Sequence, residues 1–123
     1  MRVITGSARG RRLRELEGLE TRPTTGKVKE ALFSVIQFDI EGRRVLDLFA
    51  GTGQLGIEAV SRGAESAGFV ERRKDALQAV RENLEACGFS DRARVVNGDA
   101  MSYLKSGEKF DLIFLDPPYA SGL

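Results

Sequence analysis

The chain has 123 residues, 41% hydrophobic and 30% charged, with a formal net charge of +1. That length supports one buried core rather than two, and the composition excludes wholesale disorder. With no histidine and a single cysteine, Cys87, the chain can form no intrachain disulfide, Cys/His zinc site or Cys-His nucleophile, and no metal is expected.

No apolar run approaches the ~20 residues needed to cross a bilayer, and Met1 runs into Arg2-Val3-Ile4 without an apolar leader. A cytoplasmic protein without membrane contact is the expectation. Charge is unevenly spread: the first 14 residues hold five arginines, Arg2, Arg9, Arg11, Arg12 and Arg14, and no acidic residue. Arg2 to Thr5, a turn over Gly6-Ser7-Ala8-Arg9-Gly10, and Arg11 to Leu16 read as a short hairpin. Its arginines either contact phosphates or form a solvated charged turn.

A helix follows, capped by Thr24 or Thr25, with Val28, Leu32, Val35 and Ile36 on one face. Gly42 closes this introductory segment, so residues 1–42 are expected to pack on a core formed by 43–123. From Val45 the pattern alternates strand and helix. Val45 to Phe49 is a strand, followed by a glycine loop and a short helix ending near Gly63. Ala67 to Glu71 is the second strand. A helix from about Lys74 to Cys87 carries Leu77, Val80, Leu84 and Cys87 on one stripe, with Gly88 just past its end.

Arg94 to Asn97 forms the third strand and Met101 to Leu104 a short helix. The apolar run from Phe110 to Leu115 suits a parallel strand covered on both faces. The alternation predicts an α/β fold with a parallel sheet. Cys87, on an apolar stripe, reads as a small core hydrophobe.

Gly51-Thr52-Gly53-Gln54-Leu55-Gly56 is a G-x-G-x-x-G loop between a strand and a helix, and Glu71 lies twenty positions beyond Gly51. Backbone N–H groups of such a loop approach a ligand while the carboxylate accepts bonds from ribose hydroxyls. The pattern fits NAD as well as S-adenosylmethionine. Asp99, after the third strand, either accepts from an adenine amine or caps the next helix.

Asp116-Pro117-Pro118-Tyr119 follows the fourth strand directly. Two prolines remove two N–H donors, so carboxylate and carbonyls present acceptors suited to an exocyclic amine, with Tyr119 as a stacking face.

Asp47-Leu48-Phe49-Ala50-Gly51-Thr52-Gly53, Leu55-Gly56-Ile57-Glu58-Ala59 and Ser61-Arg62-Gly63-Ala64 resemble the bacterial 16S ribosomal RNA guanine-N2 methyltransferases of the RsmD type. So do Arg22-Pro23-Thr24-Thr25, Val28 to Phe33, and Asp116 to Tyr119. The resemblance implies a Rossmann-like class I methyltransferase fold with S-adenosylmethionine as cofactor. It implies contacts to that cofactor from Asp47, Phe49, Ala50, Gly51, Thr52, Gly53, Glu71, Asp99 and Ala100.

By the same resemblance Asp116, Pro117, Pro118 and Tyr119 address a guanine amine, and the hairpin arginines with Arg22 contact ribosomal RNA or a small-subunit ribonucleoprotein. Gly26 departs from the acidic or polar residue usual in the family, and Arg72-Arg73 is unusually basic. The family continues past the Asp-Pro-Pro-Tyr segment, so the chain reads as the N-terminal part of the domain. With strand order 3-2-1-4 its last strand would be an open apolar edge, prone to self-association.

Alternative readings are methylation of an adenine N6 or cytosine N4 amine, or a non-catalytic cofactor- or RNA-binding fragment. An NAD-dependent oxidoreductase leaves the Asp-Pro-Pro-Tyr segment unexplained.

Overall fold

A run such as Arg44–Leu48, buried from Val45 onward, belongs in the middle of a sheet covered on both sides. The computed structural model, which describes residues 1–16 and 26–115, places it there. In chain order the elements are α1 (Gly26–Ile36), β1 (Arg44–Leu48), α2 (Gln54–Ser61), β2 (Ser66–Glu71), α3 (Lys74–Cys87), β3 (Ala93–Asn97), α4 (Ala100–Leu104) and β4 (Leu112–Leu115). The strands form one parallel sheet in the order β3-β2-β1-β4, as expected.

Period-two alternation sends Val45 of β1, Ala67 and Phe69 of β2, and Phe114 of β4 to one face. There they meet Phe33, Ile57, Val60, Val80 and Leu84 from α1, α2 and α3. Leu46, Leu48 and Val70 point to the other face, against Ala100 of α4 and the partly buried Tyr103 and Phe110. Helix α3 spans the residues expected of it and ends on Gly88 in the left-handed conformation. The Phe89 and Gly88 N–H groups bond there to the Leu84 and Glu85 carbonyls.

Every residue of α2 is buried, because the N-terminal segment covers its outer side. Glu58, fully buried, is the centre of that contact. Its Oε1 accepts from Ile4 N at 2.9 Å and lies 3.2 Å from Lys29 Nζ. Its Oε2 accepts from Thr5 N at 3.0 Å and from Arg62 Nε at 2.9 Å. Ser61 Oγ accepts from the Ala8 N–H and donates to the Thr5 carbonyl. Gly6, at φ 96°, lies so close to the Ser61 carbonyl that a Cβ would collide with it.

Three expectations are corrected. The hairpin is shorter than expected: Arg2 bridges Arg12, with Val3 N bonded to the Arg11 carbonyl and Leu13 N to the Met1 carbonyl, and the pairing stops there because Ile4 and Thr5 spend their N–H groups on Glu58. Val28 and Val35 of α1 are 57% and 80% exposed, and the helix buries Lys29 and Phe33 instead. Lys29 takes an inward position because Glu58 neutralises it and the Arg2 carbonyl accepts from Nζ. Phe33 packs 5.5 Å from the Phe114 ring, with the Arg62 guanidinium 4.7 Å from its own centroid.

The third correction concerns β4, which is covered on one face only. Phe114 is 6% exposed, but Ile113 and Leu115 on the other face are 47% and 65% exposed, since α4 lies mainly against β2. The expected caps Thr24 and Thr25, with Arg22 and Asp116 to Tyr119, lie outside the described residues.

Glu58→Ala would leave Lys29 buried beside a single carbonyl, and is expected to cost about 3–5 kcal/mol in urea denaturation. Lys29→Met leaves Glu58 with Arg62 and two backbone donors, and is expected to cost much less. Burial lowers the Lys29 pKa, against the opposing pull of Glu58. The unfolded chain therefore binds more protons between the lowered value and the ordinary lysine value, so this group makes stability rise with pH across that window. The Lys29→Met variant should lack that rise when unfolding is measured as a function of pH.

Candidate cofactor site

The carboxyl ends of β1, β2 and β3 lie side by side, since Leu48 pairs with Val70 and Glu71 with Asn97. Loops leaving such an edge at the point where strand order reverses form the crevice in which open parallel sheets bind ligands. Here the reversal falls at β1, flanked by β2 and β4.

After β1 the chain turns through Phe49, at φ 57°, into Ala50, whose N–H bonds to the Val70 carbonyl at 3.1 Å. Gly51 and Gly53 also have positive φ, and the Gly53 N–H closes a turn on the Ala50 carbonyl at 2.8 Å. Gly53 then caps α2 without a side chain. Among the described residues nothing lies within 4 Å of a Cβ built on Gly51, so they leave the loop open on that side.

At the third glycine of the motif the reason for glycine is packing: a Cβ on Gly56 would collide with the Phe69 ring. The Gly56 N–H bonds at 3.0 Å to Asp47 Oδ2, which ties the start of α2 to the middle of β1. Asp47 is buried, so of the residues expected around the cofactor it sits under the loop and shapes it from below.

Glu71 reaches back from the end of β2. Its Oε1 accepts from Gly51 N at 3.0 Å and its Oε2 from Arg72 N and Arg73 N, each at 2.9 Å. Three backbone donors fix the carboxylate in place, and a carboxylate with about four acceptor positions retains capacity for a hydroxyl donor. Asp99 caps α4 through Oδ2, accepting from Ser102 N at 3.1 Å, and its Oδ1 is 3.7 Å from Arg72 Nη1. The capping reading of Asp99 is thus realised. Ala100, the first residue of α4, is buried against Leu46 and Val70.

The structure brings Phe49 to Gly53, Glu71 and Asp99 to one edge of the sheet. The donor set suits a nucleoside: a rigid carboxylate for a diol, a second carboxylate for an amine, and an open glycine turn between them. At the opposite, amino-terminal edge, a cleft of about 300 Å³ is lined by Arg44, Arg94, Tyr103, Glu108 and Phe110. Several of its polar groups are committed to one another: Tyr103 Oη donates to Glu108 at 2.6 Å, and Arg44 and Arg94 pair with the same carboxylate. Burial and Glu108 together raise the Tyr103 pKa.

The arginines of the N-terminal segment, Arg2, Arg9, Arg11, Arg12 and Arg14, are all exposed. Arg14 forms an ion pair with Glu82. Cys87 is a free, half-buried thiol packed against the core, and burial raises its pKa. Among the described residues no helix is long and apolar enough to cross a membrane.

Sequence reasoning missed the polar anchors beneath the segment, Glu58, Ser61 and Asn83. Asn83 left a signal, since it falls on the buried stripe of α3, four residues after Ala79 and next to Leu84.

Residues 1–123 match the protein family described as Conserved hypothetical protein 95. The chain is 50% identical over 123 residues to the Bacillus subtilis (strain 168) protein named "Putative rRNA methyltransferase YlbH", covering 97% of this chain and 67% of that one. It is 41% identical over 124 residues to the Escherichia coli (strain K12) "Ribosomal RNA small subunit methyltransferase D", covering 100% of this chain and 62% of that one. The solved structure "Putative methyltransferase yhhF from Escherichia coli" matches with a TM-score of 0.87 at 42% identity, covering 100% of this chain and 67% of that one.

The chain thus spans 62–67% of the length of these curated relatives. It belongs to the Conserved hypothetical protein 95, or RsmD, family and has the Rossmann-like class I methyltransferase fold.

Proposed function

We propose that this chain carries the cofactor-binding and target-amine part of an S-adenosylmethionine-dependent methyltransferase that acts on a guanine N2 amine of 16S ribosomal RNA. The observation that carries the reading is the bond from Gly51 N to Glu71 Oε1. It sets a fixed carboxylate against an open glycine turn at the switch point of the sheet. Family relatives named for ribosomal RNA methylation support the class of substrate.

Glu71 would hold the ribose hydroxyls, the turn from Phe49 to Gly53 the body of the cofactor, and Asp99, with Ala100 behind it, the adenine side. When bound, S-adenosylmethionine supplies a methyl group already activated by its sulfonium. The chain's own task is then to bind and orient, and proximity supplies most of the rate. Asp116 and the carbonyls near Pro117 and Pro118 would accept the N–H bonds of the target amine, and Tyr119 would stack its base. Arg2, Arg9, Arg11, Arg12, Arg14 and Arg22 would meet RNA phosphates. Cytoplasmic ribosomal RNA or a small-subunit particle is the substrate this implies.

The test is incubation of the chain with S-adenosylmethionine labelled in its methyl group and small-subunit RNA, followed by digestion and identification of the labelled base. N2-methylguanine is the expected product; label on adenine N6 or cytosine N4 would reassign the base. Cofactor binding without transfer to naked RNA or to particles would favour a non-catalytic fragment.

Glu71→Ala removes charged acceptors and is expected to weaken S-adenosylhomocysteine binding by roughly 10- to 100-fold in calorimetry. Replacing Arg11 and Arg12 by Ala should flatten the fall of log affinity with log salt by about 0.7 for each phosphate of single-stranded RNA that the segment then leaves unneutralised.

The open side of β4 is the proposed route of self-association, since Ile113 and Leu115 are exposed there. Sedimentation should show concentration-dependent association that charged substitutions at both positions reduce; a monomer at all concentrations would contradict it.

A further inference from the structure

The side chain of Asn83 of α3, 2% exposed, bridges the basic N-terminal segment and the glycine loop. Its Oδ1 accepts from Arg14 N at 2.6 Å. Its Nδ2 donates to the Arg14 carbonyl at 3.2 Å and to the Thr52 carbonyl at 2.9 Å. Thr52 lies between Gly51 and Gly53 and is itself buried. The other end of the segment touches the same residue, with Thr52 Oγ1 3.8 Å from Met1 Sδ, and Leu13 N bonds to the Met1 carbonyl at 2.9 Å. Both ends of the arginine-bearing segment therefore converge on the middle residue of the loop.

We infer that Asn83 is a positioning residue that couples RNA engagement by the N-terminal segment to cofactor binding by the loop. This rests on the functional reading above. The Asn83 amide has its acceptor and both donors committed, so a displacement of the Arg14 backbone must either break a buried bond or be passed to Thr52. Arg14 is also where such a displacement would begin, because its guanidinium pairs with Glu82, the neighbour of Asn83, and an RNA phosphate would compete for it. A ligand on the segment and a ligand on the loop then bias the same hydrogen-bonded unit, and linkage requires the effect to be reciprocal.

The test is a linkage measurement on the whole chain. S-adenosylhomocysteine is titrated in the absence and presence of a saturating small-subunit RNA hairpin, for the wild type and for Asn83→Asp. The aspartate keeps the acceptor facing Arg14 N but loses both donated bonds, including the one to Thr52. The wild-type affinity should shift by roughly fivefold or more between the two conditions, and the shift should fall below about twofold in the variant. A role for Asn83 in stability alone would lower the melting temperature without erasing the shift.

Hydrogen exchange in the wild type gives a readout that does not depend on the variant folding: the amides of Thr52 and Gly53 should change protection when the RNA hairpin is added. An equal shift in wild type and variant, or loop amides indifferent to RNA, would overturn the coupling while leaving the methyltransferase reading intact. A wild-type chain that binds neither ligand would overturn that reading, and the coupling with it.

Discussion

A single carboxylate with no exposure to water, Glu58, sets the architecture around the sheet. A buried charge is tolerable only when paired and fully hydrogen-bonded, and Glu58 meets both conditions with Lys29, Arg62 and the N–H groups of Ile4 and Thr5. Its partners come from α1, from the residue that caps the end of its own helix and from the N-terminal segment, so satisfying one residue fixes three parts of the chain. Because α2 is buried on every side, the glycine loop that begins it is held from below by Asp47 and from above by the segment. The loop's geometry is therefore a consequence of polar contacts made by residues far from it in sequence.

That dependence explains what could be read from the residues and what could not. Helix α3 was legible to its ends because a stripe of Leu77, Val80 and Leu84 stops at a glycine. The strands were legible to within one or two residues because their runs are apolar and short, and the order β3-β2-β1-β4 followed the family resemblance. The inward face of α1 was legible only in part: Leu32 and Ile36 pack on the core as read, but Lys29 was missed, because a lysine reads as solvated until the glutamate that neutralises it is known to lie opposite. Nor could the shortness of the hairpin be foreseen, since the competitor for the Ile4 and Thr5 donors is more than fifty positions away. The apolar run of β4 announced a strand but not that one of its faces would stay open.

Around the candidate site the motif residues fall into two physical groups. Glu71 and the turn at Gly51 present themselves at the carboxyl edge, where a ligand would meet them. Asp47, Gly56 and Asn83 lie beneath and hold that edge in shape, through bonds to Gly56 N and the Thr52 carbonyl and through the tight approach of α2 to Phe69. Asp99 stands between the groups, with one oxygen committed to the cap of α4 and the other near Arg72. Sequence spacing singled out Gly51, Glu71 and Gly56, the family resemblance named Asp47, and tertiary packing was needed to find Asn83.

On the proposed function, the Glu71-braced glycine turn holds the nucleoside of S-adenosylmethionine. Calorimetric titration of the folded chain with S-adenosylhomocysteine, with NAD in parallel and circular dichroism to confirm folding, tests it most directly. Saturable binding of S-adenosylhomocysteine with none of NAD is the expected result. Binding of NAD alone would contradict it.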